Sequence, residues 1–301
     1  MKSKELRGNL LLLLTAVIWG CAFVAQSVGA DKIGPFTFQS VRSLIGGMVL
    51  LPVIFVFDRK KGQQGTGRKA SPQEQKTLIL GGVVCGVILC VASCLQQAGI
   101  AYTTAGKAGF ITAMYILIVP LLGRLFGQRI PGKLWGCIVL AAIGLYLLCV
   151  GNADALSVGD GLMALCALVF ALHILAVDHF TPQVDGVKLA CLQFLVSALV
   201  AGIGMVIWER PGVNDLLSAW PTIVYAGALS CGVGYTLQII GQKDTKPAVA
   251  SLIMSLESVF AALAGAVILR EIPSLREGLG CILMFAAIIL VQLPGKNRKK
   301  E

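Results

Sequence analysis

The chain of 301 residues is 56% hydrophobic and only 13% charged, with a formal net charge of +10 and a mean hydropathy of +0.83. Soluble domains carry about 25% charged residues, because water must solvate the folded surface. This composition excludes an ordinary soluble globular protein and predicts one that is embedded in a lipid bilayer.

Ten stretches of the chain are long enough and apolar enough to cross a membrane as helices. A crossing needs about 20 apolar residues, because the hydrocarbon core is about 30 Å thick and a helix rises about 1.5 Å per residue. The longest polar stretch, residues 58–76, is rich in Gly, Gln and Lys and predicts a flexible connector. We therefore predict an all-α integral membrane protein with helices near residues 9–29, 36–57, 77–99, 104–126, 132–151, 158–177, 187–208, 218–240, 246–269 and 275–293.

The positions of Lys and Arg predict the orientation of these helices, since positive residues collect in cytoplasmic loops. With a cytoplasmic N-terminus, 19 Lys and Arg lie on the cytoplasmic side, five lie on the other side, and Arg42 alone lies inside a helix. We expect a multi-pass protein of the cell membrane with both termini in the cytoplasm. Contact of the basic loops with anionic headgroups accounts for the net charge, so no nucleic-acid partner is expected.

The ten cysteines lie almost entirely inside the apolar stretches. Their spacing is not that of a zinc site, and small polarizable thiols are common in helix packing. We expect reduced, packed cysteines, and neither a metal nor a cofactor.

An internal repeat is visible when the chain is aligned with itself. An offset of 142 matches residues 95–131 with residues 237–273 and gives ten identities in 37 positions, including a Gln, a Thr and a Pro. A weaker offset of 151 relates the beginnings of the two halves, placing Trp19 opposite Phe170 and Arg42 opposite Gln193. The repeat predicts two five-helix halves, residues 1–151 and 152–301.

The number of helices in each half determines how the halves are related. Because five is odd, the second half enters the membrane from the opposite side, which makes the repeat inverted. Inverted repeats are typical of secondary transporters, in which two similar halves open one cavity to alternate sides. The alternative is an inherited duplication that serves only structure.

Two motifs carry a resemblance to a known family. The segment 95–112, LQQAGIAYTTAGKAGFIT, followed by VPLL at 119–122, resembles helices three and four of an EamA-type member of the drug/metabolite transporter superfamily. The segment 256–262, LESVFAA, with Arg270-Glu271, is similar to the ninth helix of that family. Ser258 departs from the family pattern, which often has Pro there, and Gln128-Arg129 stands where an acidic residue is common.

The resemblance implies a ten-helix bundle around a substrate cavity, usually working in efflux and coupled to an ion gradient. It makes export of amino acids or related small organic metabolites the leading expectation, with drug-like cations second. Protons are the coupling ion that we expect. It gives no expectation for the oligomeric state.

Charged residues inside the predicted helices are candidates for the site, since each costs roughly 2.5–3.5 kcal/mol on insertion scales. Glu257 is either a carboxylate that binds a proton or cation, or a structural group that locks helices together. Arg42 either pairs with Glu257, binds a substrate carboxylate, or holds helix two in place. His173 is either a packing residue or a proton carrier.

Uncharged polar and aromatic residues complete the candidate set. Gln96 and Gln238 occupy the same place in both halves and either hydrogen-bond a ligand or join helices. Trp19, Tyr115 and Tyr235 combine apolar rings with polar tips, as residues of organic-substrate sites often do.

These observations favour a secondary transporter that acts on a small molecule. The alternatives are an integral-membrane enzyme acting on lipids and a membrane scaffold or sensor that transports nothing. The sequence lacks a convergent set of catalytic residues at one membrane face, so we do not expect an enzyme.

Overall fold

The computed structural model describes residues 2–63, 71–102, 105–125, 127–128, 130–149, 157–268 and 274–293. Within these ranges every regular element is a helix. Eight segments are α1 (Lys2–Ala30), α2 (Pro35–Gln63), α3 (Pro72–Ile100), α5 (Gly132–Cys149), α6 (Val158–Phe180), α7 (Gly186–Glu209), α8 (Trp220–Gln242) and α10 (Leu275–Gln292). Two more are split: α4 comprises Ala105–Ala113 and Tyr115–Leu125, and α9 comprises Pro247–Met254 and Glu257–Ile268. A short helix, Val213–Ser218, precedes α8.

Seven of these segments, α1, α2, α3, α6, α7, α8 and α9, are long and apolar enough to cross a membrane. Shorter apolar helices occur in α4 and α5. The protein is therefore helical and multi-pass, while the count of ten crossings stays a prediction.

Capping residues begin several helices at positions that the sequence sets locally. Ser71 and Glu74 form a capping box at the start of α3, and Ser157 and Asp160 form one at the start of α6. In each box the serine hydroxyl accepts from a backbone N–H of the first turn, and the acidic side chain accepts from the serine N–H. These contacts satisfy donors that a helix start leaves without partners.

The connector predicted for residues 58–76 is shorter than expected. Helix α2 continues to Gln63 and α3 already begins at Pro72, so the flexible-connector prediction is wrong for both ends of that stretch. Lys, Arg and Gln are good helix formers, and they extend α2 beyond its apolar part. Residues 64–70 lie outside the described residues.

Irregularities occur in several segments that the sequence predicts as continuous helices. Segment α4 breaks at Met114, and α9 breaks at Ser255 and Leu256. Segment α8 is π-helical over Tyr225–Tyr235. Such departures from α-helical hydrogen bonding are often found at functional sites.

Small residues let the helices approach closely where the halves meet. A Cβ atom added to Gly20 of α1 would lie 2.5 Å from Phe260 Cβ and 2.8 Å from the backbone N of Ala261 and the carbonyl O of Glu257, all in α9. Backbone atoms cannot move aside as a flexible side chain can, so a larger residue at position 20 separates α1 from α9.

Gly20→Ala is therefore expected to destabilise the protein, by about 1–3 kcal/mol, as overpacking does in well-packed interiors. The matched control is Gly161→Ala in α6, where an added Cβ meets nothing within 4 Å. Thermal melting of the purified protein in detergent should show a lower midpoint for Gly20→Ala alone. Equal midpoints for the two variants would contradict the close contact.

Candidate functional site

A cavity lies among α1, α2, α3, α4, α6, α8 and α9. None of the described residues that line it belongs to α5, α7 or α10. Seven of the eight residues predicted for the site line this cavity: Trp19, Arg42, Gln96, Tyr115, Tyr235, Gln238 and Glu257. His173 does not.

The cavity lining repeats across the two halves. Gln96 and Gln238 both line it, and the offset of 142 relates them. Three further pairs of repeat-equivalent residues line the cavity. The offset of 142 relates Tyr115 to Glu257, and the offset of 151 relates Trp19 to Phe170 and Phe23 to Ile174. The cavity thus lies where equivalent parts of the two halves meet.

Tyr115 and Glu257 face each other at the two helix breaks. Each is the first residue of the second helix in its segment, directly after Met114 and Leu256 respectively. The Tyr115 hydroxyl donates to Glu257 Oε1 at 2.9 Å, and the two residues are 142 positions apart. Glu257 is only 4% exposed, and its other oxygen has no hydrogen-bond partner among the described residues. Because Glu257 lines the cavity, that oxygen is available to a ligand or a proton.

Arg42 is held by uncharged partners. Its Nε donates to Gln39 Oε1 at 2.6 Å, and one terminal nitrogen donates to Gln26 Oε1 at 3.3 Å. Among the described side chains it forms no ion pair with Glu257, so the pairing considered from the sequence is absent from this structure. Arg42 is 2% exposed and lines the cavity, so within the described part of the chain its buried positive charge has no carboxylate partner.

Further polar residues hold the two glutamines that accept from Arg42. Gln39 Nε2 donates to Ser197 Oγ of α7 at 2.8 Å, so the amide that accepts from Arg42 is itself fixed. Gln97 of α3 donates to the backbone O of Gln26 at 3.0 Å. Residues of α1, α2, α3 and α7 therefore take part in the network around the guanidinium.

The two symmetric glutamines differ in their surroundings. Gln238 Oε1 is buried and lacks a hydrogen-bond partner among the described residues, so the helix-joining role is not satisfied at that atom. Gln96 lines the cavity and is 6% exposed. Both residues line the cavity, and the choice between ligand contact and helix joining stays a prediction.

Aromatic rings form one wall of the cavity. The Trp19 and Tyr235 rings lie 4.5 Å apart, centre to centre. Trp19 Nε1 donates to the Ser230 carbonyl at 3.5 Å, and that carbonyl belongs to the π-helical part of α8. A π-helix departs from the hydrogen-bond pattern of an α-helix, so some of its carbonyl groups can accept from side chains of α1. This hydrogen bond orients the Trp19 indole.

His173 lies behind this wall. It is fully buried, its ring is 6.0 Å from that of Tyr235, and its Nε2 is 3.2 Å from Gln193 Oε1. These contacts support the packing interpretation of His173, while the proton-carrier alternative stays a prediction.

Sequence reasoning missed several cavity residues: Phe23, Gln26, Thr112, Phe170, Ile174 and Ser230. A signal for two of them was present, because Phe170 and Ile174 are the repeat equivalents of Trp19 and Phe23. The offset of 142 relates Tyr115 to Glu257, but their contact was not predicted.

A multi-pass helical protein with a polar, aromatic-lined cavity between two similar halves has the architecture of a membrane transporter. The chain belongs to the EamA-like transporter family, whose model matches twice, at residues 6–150 and 157–293.

Relatives support this assignment. The chain is 29% identical over 292 residues to an uncharacterised transporter of Archaeoglobus fulgidus, covering 96% of this chain and 87% of the relative. It is 25% identical over 310 residues to the uncharacterised transporter YvbV of Bacillus subtilis, covering 97% and 94%. A protein of known crystal structure matches with a TM-score of 0.74 at 18% identity, covering 94% of this chain and 96% of that one, which shows a shared fold.

Proposed function

We propose that this protein is a secondary active transporter that exports small organic metabolites, such as amino acids, by alternating access coupled to a proton gradient. In this proposal ten helices form two inverted five-helix halves, residues 1–151 and 152–301. The observation that carries it is a cavity lined by repeat-equivalent residues from both halves. Two similar halves around one site are the basis of alternating access in inverted-repeat transporters.

The charges of the cavity favour a zwitterionic substrate. Arg42 and Glu257 line the same cavity and are not paired with each other or with another charged group among the described residues. A buried charge is costly unless a partner neutralises it, so a ligand with both a carboxylate and an amine satisfies both groups. Trp19, Phe23 and Tyr235 add an apolar surface for the rest of the molecule.

A flux screen in proteoliposomes tests the function. Zwitterionic amino acids with apolar side chains are expected to move faster than the corresponding simple amines and carboxylic acids, and an imposed proton gradient should drive accumulation. Protein-free liposomes are the control. Flux no greater than the control for every compound, with or without the gradient, would contradict transport, and turnover of a lipid by the same protein would favour the enzyme alternative.

The proposed orientation has a separate test. The excess of Lys and Arg on one side supports cytoplasmic termini, with residue 65 inside the cell and Arg210 outside. Cysteines introduced at these positions should react differently with a membrane-impermeant reagent added to intact cells, with only position 210 modified. The reverse pattern would invert the orientation.

A further inference from the structure

Two carboxylates join α2 to α7 at opposite ends of these helices. Glu209, the last residue of α7, accepts from the backbone N–H groups of Phe36 and Thr37 at 2.8 and 2.6 Å and from the Thr37 hydroxyl at 2.6 Å. At the other end, Asp58 of α2 forms an ion pair with Lys188 of α7 at 2.8 Å. Thr37 and Asp58 are 21 positions apart, which is about 30 Å along a helix and close to the thickness of the hydrocarbon core.

The repeat relates these two contacts to each other. The offset of 151 carries Thr37 to Lys188 and Asp58 to Glu209. The contact between Thr37 and Glu209 is therefore the repeat equivalent of the contact between Lys188 and Asp58. In the first contact the carboxylate is on α7, and in the second it is on α2. We call these contacts the Asp58 tether and the Glu209 tether.

A third pair of equivalent positions explains why their chemistry differs. Asp185 caps α7 within its own chain segment by accepting from the N–H groups of Val187 and Lys188 at 3.0 and 3.3 Å. Its equivalent before α2 is Gly34, which has no side chain to do this. Glu209 of the other half supplies the missing carboxylate to the start of α2. A Cβ atom on Gly34 would overlap that carboxylate, so the glycine makes room for it.

Polar contacts continue between the two tethers. Gln39 bonds Ser197, the Ser40 hydroxyl donates to the Ala198 carbonyl at 3.0 Å, and Cys191 Sγ donates to the Gly47 carbonyl at 3.6 Å. Polar contacts therefore join α2 to α7 at several places between the two tethers. No described residue of α7 lines the cavity, so a path from the cavity to either side need not pass between α2 and α7.

We propose that α2 and α7 stay joined at both tethers throughout the transport cycle, and that the openings to the two sides form between other helices. This inference rests on the proposed function, because it concerns how a transporter changes conformation. It assigns Asp58 and Glu209 as positioning residues outside the substrate cavity.

The capping step has a test in stability. Glu209→Ala should lower the melting midpoint because the start of α2 loses its acceptor. Gly34→Asp should also lower it in the natural protein, because a second carboxylate then lies against Glu209. Combined, the two changes should restore the midpoint, since the carboxylate introduced by Gly34→Asp can cap α2 as Asp185 caps α7. If the decreases in melting midpoint of the two single variants simply add in the double variant, Glu209 does not cap α2 and the capping argument is overturned.

Covalent locking tests the proposal itself. Two double variants, Thr37→Cys with Glu209→Cys and Asp58→Cys with Lys188→Cys, are treated with a short bismaleimide, and cross-linking is followed by intact mass. The unmodified chain, with its native cysteines, and the double variants before treatment are the controls. Flux of the cross-linked proteins should stay within about twofold of the untreated variants. The gating motion does not require α2 and α7 to separate, so a cross-link between them should not block it. A loss of about tenfold or more on cross-linking at either end would show that α2 and α7 separate, and would overturn the proposal. Absence of flux from the unmodified chain would instead refute the transporter function.

Discussion

Glu257→Gln is expected to abolish proton-driven accumulation of substrate while leaving the protein folded. The amide keeps an oxygen that accepts from the Tyr115 hydroxyl, so the contact across the two helix breaks survives. It cannot bind or release a proton, and it carries no charge for a substrate amine. Accumulation of substrate under an imposed proton gradient should fall at least tenfold, because substrate movement is no longer coupled to proton movement. The substrate can then move only down its own concentration gradient.

Tyr115→Phe is the matched control for this experiment. It removes the hydrogen bond but leaves the carboxyl group at position 257, so coupling should persist even if the melting midpoint falls. A well-folded Glu257→Gln protein with unchanged proton-driven accumulation would refute the coupling role. If both variants lose accumulation equally, the cycle requires the Tyr115 hydroxyl as well as an ionisable group at position 257.

Much of the fold follows from simple sequence properties. Long apolar stretches predict helices because a backbone in hydrocarbon must bond within itself, and the helical multi-pass structure agrees. The breaks at Met114 and at Ser255 and Leu256 were not predicted. Neither break contains Pro or Gly, so the local sequence has no strong signal and the interruption depends on packing between helices.

The residues of the candidate site could be predicted from the sequence, but their hydrogen-bond partners could not. Buried polar residues such as Glu257 and Arg42 stand out in apolar helices because each is costly in lipid. Their partners depend on how the helices are arranged, which is why the pairing of these two residues was left open. In the structure Arg42 bonds amide oxygens and Glu257 bonds a phenol. The two halves are also less symmetric than the repeat suggests, since Arg42 has Gln193 as its equivalent.

Arg42→Lys is expected to weaken transport of a zwitterionic substrate selectively. Lysine keeps the positive charge but not the planar group that bonds Gln39 and Gln26 together, so its ammonium cannot hold the same position. A hydrogen bond to a charged group contributes about 1.5–3 kcal/mol, and each 1.4 kcal/mol is about tenfold in affinity. The KM for the amino acid should therefore rise about tenfold or more.

The comparison that isolates this effect uses an amine lacking the carboxylate but otherwise identical to the amino acid. Its transport does not require Arg42 to bind a carboxylate, so Arg42→Lys should leave its KM nearly unchanged. Arg276→Lys is the matched control, because Arg276 lies over the Tyr146 ring, away from the residues that line the cavity. A KM that rises equally for both compounds, together with a lower melting midpoint, would mean that Arg42 only holds α2 in place. A rise confined to the amino acid assigns the carboxylate to Arg42 and leaves Glu257 as the group that faces the amine.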